Sequence, residues 1–194
     1  NGHAFDVRLS TIPTANGESL VMRLLDQSMP ITDLSQLGIP PEMLAHIEKI
    51  YNRPYGMLLV TGPTGSGKTT TLYSILSRLN VSDRKIITVE DPVEYTISRI
   101  NQIQVNPKID LTFSSVLRAI LRQDPDVIMV GEIRDADTAR IAMRAAMTGH
   151  FVLATLHTNN AASSAIRLVD MGVEGFIVAS AVKAIIGQRL IRIL

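Results

Sequence analysis

The run Gly62-Pro63-Thr64-Gly65-Ser66-Gly67-Lys68-Thr69 sets glycines, a lysine and a hydroxyl at the spacing G-x-x-x-x-G-K-[ST]. Glycine lets successive backbone N–H groups turn into one concavity. A concavity of that kind at a helix N-terminus holds the β-phosphate of a nucleotide. Lys68 then reaches the β- and γ-phosphates, and the Thr69 hydroxyl is placed to ligate Mg²⁺. Pro63, Thr64, Gly65, Ser66, Gly67, Lys68, Thr69 and Thr70 form the candidate nucleotide-binding set. An apolar strand at 57–60 comes before and a helix-compatible stretch at 69–79 comes after. That context separates a phosphate loop from a glycine-rich turn with a surface lysine.

Three more polar clusters stand where apolar strands end. Residues 86–89 lead into Glu90-Asp91-Pro92-Val93-Glu94, residues 127–130 into Gly131-Glu132, and residues 151–156 into His157-Thr158-Asn159. In open parallel sheets ligands bind beyond the carboxyl ends of the strands, so one such sheet brings all the clusters to one edge. Glu132 is suited to hold Mg²⁺ through water or to polarise the attacking water. The plain alternative is a carboxylate which, with Asp135, opens the next helix. Glu90 follows its strand directly and is the first choice for the group that orients or deprotonates water, with Asp91 and Glu94 beside it. The alternative there is a solvated acidic loop. His157 is placed to sense the γ-phosphate or to transmit its loss, and His150 is a second candidate; each competes with a purely structural imidazole. Arg8 and Arg23 lie on two paired strands. They are either guanidinium groups that stabilise transition-state charge or exposed hairpin arginines.

The elements that must position these residues alternate along the chain. Residues 4–10 and 19–25 alternate apolar and polar as strands do, with Phe5, Val7 and Leu9 on one face and Asp6, Arg8 and Ser10 on the other. The stretch 11–18 joins them as a hairpin loop. Residues 26–40 have the prolines, glycine and turn formers of a linker, and Pro41 opens a helix to about Ile50. Strands are then expected at 57–60, 86–89, 127–130 and 151–156, with helices at 69–79, 111–123, 136–147, 161–170 and 174–192. This predicts an α/β fold with a mostly parallel sheet covered by helices. The domain reading is a terminal hairpin at 1–25, a linker at 26–40 and a nucleotide-binding domain at 41–194.

The chain has 194 residues, of which 46% are hydrophobic and 19% charged, with a net charge of +1 and no cysteine. Those proportions allow a sizeable core. A disulfide framework or a thiolate zinc site within these residues is excluded. Aromatic residues are 4% of the chain, so the basic track and stacking platforms of a nucleic-acid motor are not visible. No apolar run is long enough to span a bilayer, so no direct membrane insertion is expected. A start on Asn1-Gly2-His3 and a stop on an apolar turn read as a piece of a longer protein.

The segments Gly62 to Thr70, Thr88-Val89-Glu90-Asp91-Pro92-Val93-Glu94, Val130-Gly131-Glu132-Ile133-Arg134-Asp135, and Thr148-Gly149-His150 through Thr155-Leu156-His157-Thr158-Asn159 resemble, in this order, known motifs. They are similar to the Walker A, Asp-box, Walker B and His-box motifs of the type II secretion and type IV pilus assembly ATPases. The stretch Leu117 to Asp126 and the two arginine-bearing strands share the likeness, which covers nearly the whole chain. The resemblance implies a RecA-like P-loop core preceded by the end of a small α/β domain, and a homo-hexameric ring. It implies ATP as substrate, Mg²⁺ as cofactor, Lys68 and Thr69 on phosphate and metal, Glu90 as base and Glu132 at the metal. It also implies His150 and His157 as His-box residues, and Arg8 and Arg23 as charge-stabilising arginines. Arg134, Arg118 and Arg122 are candidates for phosphate or interface contacts.

The expected function is Mg²⁺-dependent ATP hydrolysis by a cytoplasmic ring motor. That motor works at the inner membrane through a platform protein and drives pilus assembly or type II secretion. The alternatives are a hexameric nucleic-acid translocase and a nucleotide-binding regulator that does not hydrolyse. The paired carboxylates Glu90 and Glu132 argue against the regulator. Where members of this family carry a four-cysteine module after a Gln-Arg-Leu-x-Arg segment, this chain has Gln188-Arg189-Leu190-Ile191-Arg192 and then two residues.

Overall fold

The computed structural model describes residues 5–26 and 31–192; residues 1–4, 27–30 and 193–194 of the expected hairpin, linker and nucleotide-binding segments lie outside that description. Strands β1 (Phe5–Thr14) and β2 (Gly17–Asp26) form an antiparallel hairpin closed by the two-residue turn Ala15-Asn16. The strands therefore run further than expected, and the loop foreseen at 11–18 is mostly ladder. Pro13 pairs with Glu18 near the end of a two-stranded ribbon, where a missing N–H is tolerated. Val7 stands opposite Leu24, Leu9 opposite Met22 and Thr11 opposite Leu20, so one face is apolar, and it is exposed.

Helix α1 (Pro41–Tyr51) starts on a proline at its first position, as the sequence predicts. Next come β3 (Gly56–Thr61), α2 (Lys68–Leu79), β4 (Ile86–Glu90) and β5 (Asn101–Gln104). They are followed by α3 (Phe113–Ile120), β6 (Val127–Val130), α4 (Ala136–Met147), β7 (Phe151–Leu156) and α5 (Ala161–Asp170). The last described elements are α6 (Gly175–Ala181) and β8 (Val182–Gly187). The six-stranded sheet has the order β5-β4-β6-β7-β3-β8, and all its pairings are parallel. It is an α/β fold with a parallel sheet between helices, as the alternation predicts.

Alternation within the strands feeds two cores. On one face Met57, Leu59, Ile128, Val130, Val152 and Ala154 pack with α3, α4 and α6. On the other, Leu58, Val60, Val127, Met129 and Leu153 pack with α1 and α2. A parallel strand covered on both faces reads as an unbroken apolar run, which is what these strands show. Leu34, inside the expected linker, is 1% exposed and belongs to the second core.

Two helix expectations are also corrected. The helix foreseen at 174–192 ends at Ala181, and the chain continues as β8 beside β3. An apolar run of this length suits a helix or a buried strand equally by periodicity. Here β3 offers an open edge, and Val182, Ile185 and Ile186 are β-branched residues that suit it. The helix foreseen at 111–123 is an α-helix only over Phe113–Ile120, because Thr112 caps it and it tightens to a 3₁₀ turn over Leu121–Gln123. Strand β5, an edge strand carrying Gln102, is not foreseen by pattern, because Asn101-Gln102-Ile103-Gln104 has little β propensity.

Candidate nucleotide site

The loop between β3 and α2 leads into a helix N-terminus that has no side-chain cap. Helices α3, α4 and α5 are each capped by a side chain, from Thr112, Asp135 and Asn160 respectively, whereas α1 and α6 are not. Helix α2 has Gly67 at that position, in the left-handed conformation (φ 82°), with no side-chain cap. Its first N–H groups therefore point into the loop with the positive end of the helix dipole behind them. Lys68 is 8% exposed and folds back on the loop, its Nζ donating to Gly62 O at 2.8 Å and Pro63 O at 2.9 Å. Burial lowers its pKa, and the charge of Glu132 works the other way. The Ser66 hydroxyl is buried and has no hydrogen-bond partner among the described residues. An uncapped helix N-terminus, a folded-back ammonium and an orphaned hydroxyl fit a polyphosphate.

The same cavity, of about 410 Å³, is lined by Thr64, Gly65, Ser66, Gly67, Lys68 and Thr69, and also by Glu90, Asp91, Glu94, Glu132 and His157. The parallel sheet accounts for this: β3, β4, β6 and β7 all end at one edge. Cross-links hold the strand ends in step. Gly131 N donates to Val89 O at 2.8 Å, and Thr155 Oγ1 to Gly131 O at 2.6 Å. Thr61 Oγ1 donates to Leu156 O at 3.1 Å.

Glu132 does not cap α4; Asp135 does, accepting from Thr138 N at 2.8 Å. Glu132 instead accepts from Arg134 Nε at 2.7 Å and stands 3.1 Å from His157 Nε2. Arg134 Nη1 reaches Asp91 at 3.3 Å. One guanidinium thus ties the end of β4 to the end of β6, and Glu132 ties β6 to β7. Pro63 and Thr70 lie in the loop and the first turn of α2. Thr69 is exposed to the cavity.

Glu90 is 3% exposed. Tyr73 Oη donates to its Oε2, and Thr88 Oγ1 and Gln102 Nε2 (3.2 Å) donate to its Oε1. Burial pushes the Glu90 carboxyl above the usual range, against the pull of those three hydrogen bonds, and Glu94 adds to the rise. Burial raises the Tyr73 hydroxyl too, with the Glu90 charge beside it. Neither Tyr73 nor Gln102 stands out in the sequence. A tyrosine on the buried face of α2 needs a partner for its hydroxyl, and that is the signal the sequence offers. Gln102 sits on the strand that pattern alone does not reveal.

Not every candidate arrives at the cavity. His150 precedes β7 while His157 follows it, so the two stand at opposite ends of a strand, about 20 Å apart by strand geometry. His150 Nδ1 lies 3.2 Å from Ala145 O, and its carbonyl accepts from Gly56 N at 3.2 Å. Arg8 and Arg23 are direct cross-strand partners. Arg8 lines a second hollow with Asp91, Pro92 and Lys108.

Fold and site together define a P-loop nucleotide-binding domain of the RecA-like class. The chain belongs to the family described as "Type II/IV secretion system protein", whose model matches residues 1–194. It is 59% identical over 191 residues to the type II secretion system protein E of Xanthomonas campestris pv. campestris, covering 98% of this chain and 34% of that one. It is 54% identical over 193 residues to the type II secretion system ATPase E of Vibrio cholerae, covering 100% of this chain and 38% of that one. Among solved structures, the pilus retraction motor PilT with bound ADP superposes with a TM-score of 0.80 at 35% identity, over 95% of this chain and 59% of that one. The chain thus spans little more than a third of the length of these curated relatives.

Proposed function

We propose that the protein hydrolyses Mg²⁺-ATP and is the motor subunit of a type II secretion or type IV pilus machine. The observation that carries this reading is the convergence of the phosphate loop, Glu90, Glu132 and His157 in one cavity. The N–H groups of the loop and Lys68 hold the β- and γ-phosphates and meet the charge that builds on the bridging oxygen. Glu90 takes the proton of the attacking water, and its Oε2 keeps a lone pair beyond the one given to Tyr73. The Thr69 hydroxyl and Glu132 are the oxygen donors that would hold Mg²⁺, Glu132 through water, and the ion would supply neutralisation of phosphate charge. His157 and Arg134 both contact Glu132, so loss of the γ-phosphate reaches β7 and Asp91 through that carboxylate.

Arg8 and Arg23 stand directly opposite each other, and like charges so placed oppose the pairing unless an anion lies between them. We assign them to the γ-phosphate, from the same or a neighbouring subunit. The assembly is a closed homo-hexameric ring with head-to-tail interfaces. Force passes to an inner-membrane platform protein from a motor on the cytoplasmic side. Among the described residues no helix is long and apolar enough to cross a membrane. The hairpin at 1–25 ends a preceding domain, 26–40 joins it on, and 41–194 is the ATPase domain.

The test is Mg²⁺-ATP turnover per subunit of the full-length protein against its concentration, with Lys68→Ala as the blank. Turnover that rises with concentration is expected, because the site is completed between subunits. Flat turnover above the blank would remove the ring from the reading, and none above the blank would remove hydrolysis.

The Tyr73→Phe variant is expected to lower kcat roughly tenfold or more, since it deletes a hydrogen bond to a charged partner. Affinity for ATP should not change. Tyr73 is a donor to the ionised carboxylate, so its loss raises the pKa of Glu90 further, with Glu94 and Tyr95 the other ionisable groups nearby. The acid limb of the pH–rate profile should therefore move to higher pH. A profile that overlays the wild type would reduce Tyr73 to a packing residue.

A further inference from the structure

Strand order decides which way a nucleotide lies in this site. Glu90, Glu132 and His157, the side chains suited to the γ-phosphate, follow β4, β6 and β7, and all of these strands lie on one side of β3. Strand β8 lies on the other side. A polyphosphate held by the β3–α2 loop with its γ end towards those groups directs its α-phosphate, and with it the nucleoside, towards β8. The chain leaving β8 is Gln188-Arg189-Leu190.

That turn is seated firmly on the loop. Gln188 N donates to Thr61 O at 2.8 Å, and Thr71 Oγ1 donates to Gln188 Oε1 at 2.7 Å. A Cβ on Gly62 would lie 2.3 Å from Gln188 O. A Cβ on Gly67 would lie 2.9 Å from Gln188 Nε2 and 3.7 Å from Leu190 Cδ2. Arg189 donates to Asn159 O at 2.7 Å, fixing the turn from the β7 side. Leu190 lines the nucleotide cavity and is 70% exposed. An apolar side chain thus stands open at the mouth of the site. Among the described residues, Gln188 bonds through its side-chain oxygen alone, which leaves Nε2 as an available donor beside it.

We infer that Gln188–Leu190 is the nucleobase wall of this site, with Leu190 against the face of the base and the Gln188 amide donating to an acceptor on its edge. This rests on the nucleotide reading of the loop. Ligand sites combine an apolar surface with a few placed polar groups in this way, and a heteroaromatic base is the part of a nucleotide that wants both. The phosphates bind through the loop, and the turn adds affinity only for ligands that carry a base.

The experiment compares ADP with inorganic pyrophosphate, neither of which passes through γ-phosphate hydrolysis, by calorimetric titration of the full-length protein. Leu190→Ala is expected to weaken ADP about tenfold, because most of the apolar surface that covers the base is removed, and to leave pyrophosphate unchanged. Leu190→Met, which conserves volume, should restore ADP binding. Equal weakening of both ligands would make Leu190 a mere prop for the loop, and unchanged ADP binding would remove it from the site; either overturns the inference. Lys68→Ala is the separate control and should weaken both ligands. If it weakens neither, the phosphate site itself is misassigned and the inference falls with it.

Discussion

Lys68→Ala lowers ATP turnover on the order of a thousandfold, the effect of deleting one preorganised charge from a phosphoryl-transfer site. Nucleotide affinity falls with it, because the ammonium makes a charge-assisted hydrogen bond to the phosphates in the ground state as well. The fold survives. Lys68 lines the cavity and donates to the Gly62 and Pro63 carbonyls, and the space that alanine vacates is open to water through that cavity. Burial already lowers the pKa of Lys68, so the charged form is held there against a desolvation penalty that alanine removes. The measurement is kcat and Kd for ATP beside a thermal melt. Retained turnover with an unchanged melt would take the phosphate loop out of the chemistry.

Glu90→Gln lowers kcat by roughly two to four orders of magnitude with little change in ATP affinity, as expected for loss of a general base that does not touch the phosphates in the ground state. The swap is close to isosteric. The Tyr73 hydroxyl can turn from donating to accepting, so the buried network need not collapse. Stability should rise at neutral pH. The folded pKa of Glu90 is raised by burial, so folding favours its protonated form. Below the ordinary glutamate pKa both states hold the proton and burial costs nothing. As pH climbs from there to the folded pKa, the unfolded chain ionises first and the wild type loses stability, whereas the glutamine variant does not. Melts at low and neutral pH read this directly. Equal turnover in the two proteins would assign the base elsewhere, with Asp91 and Glu94 the other carboxylates of the same segment that line the cavity.

The candidate phosphate loop was legible because its residues are contiguous: glycines, lysine and threonine fall within one turn, whatever surrounds them. Glu90, Glu132 and His157 were legible for a related reason, since each follows an apolar run, and a parallel sheet sends the ends of such runs to one edge. His150 shows where that reasoning stops. It shares a motif with His157 but stands before β7 rather than after it, so motif membership did not set its distance from the cavity.

The sequence by itself determined the elements whose pattern is unambiguous, which are amphipathic helices with caps and strands buried on both faces. It also determined which polar residues terminate those strands. The tertiary structure alone decided the rest. The run from Val182 to Gly187 is a strand because β3 presents an unpaired edge to it, and no local periodicity contains that fact. Glu90 is a buried, three-donor carboxylate because Tyr73 and Gln102 reach it from a helix and an edge strand. The turn at Gln188–Leu190 meets the phosphate loop because β8 pairs next to β3, far along the chain. In each case the deciding interaction joins residues that only folding brings together, and a pattern read along the chain carries no information about its own partner.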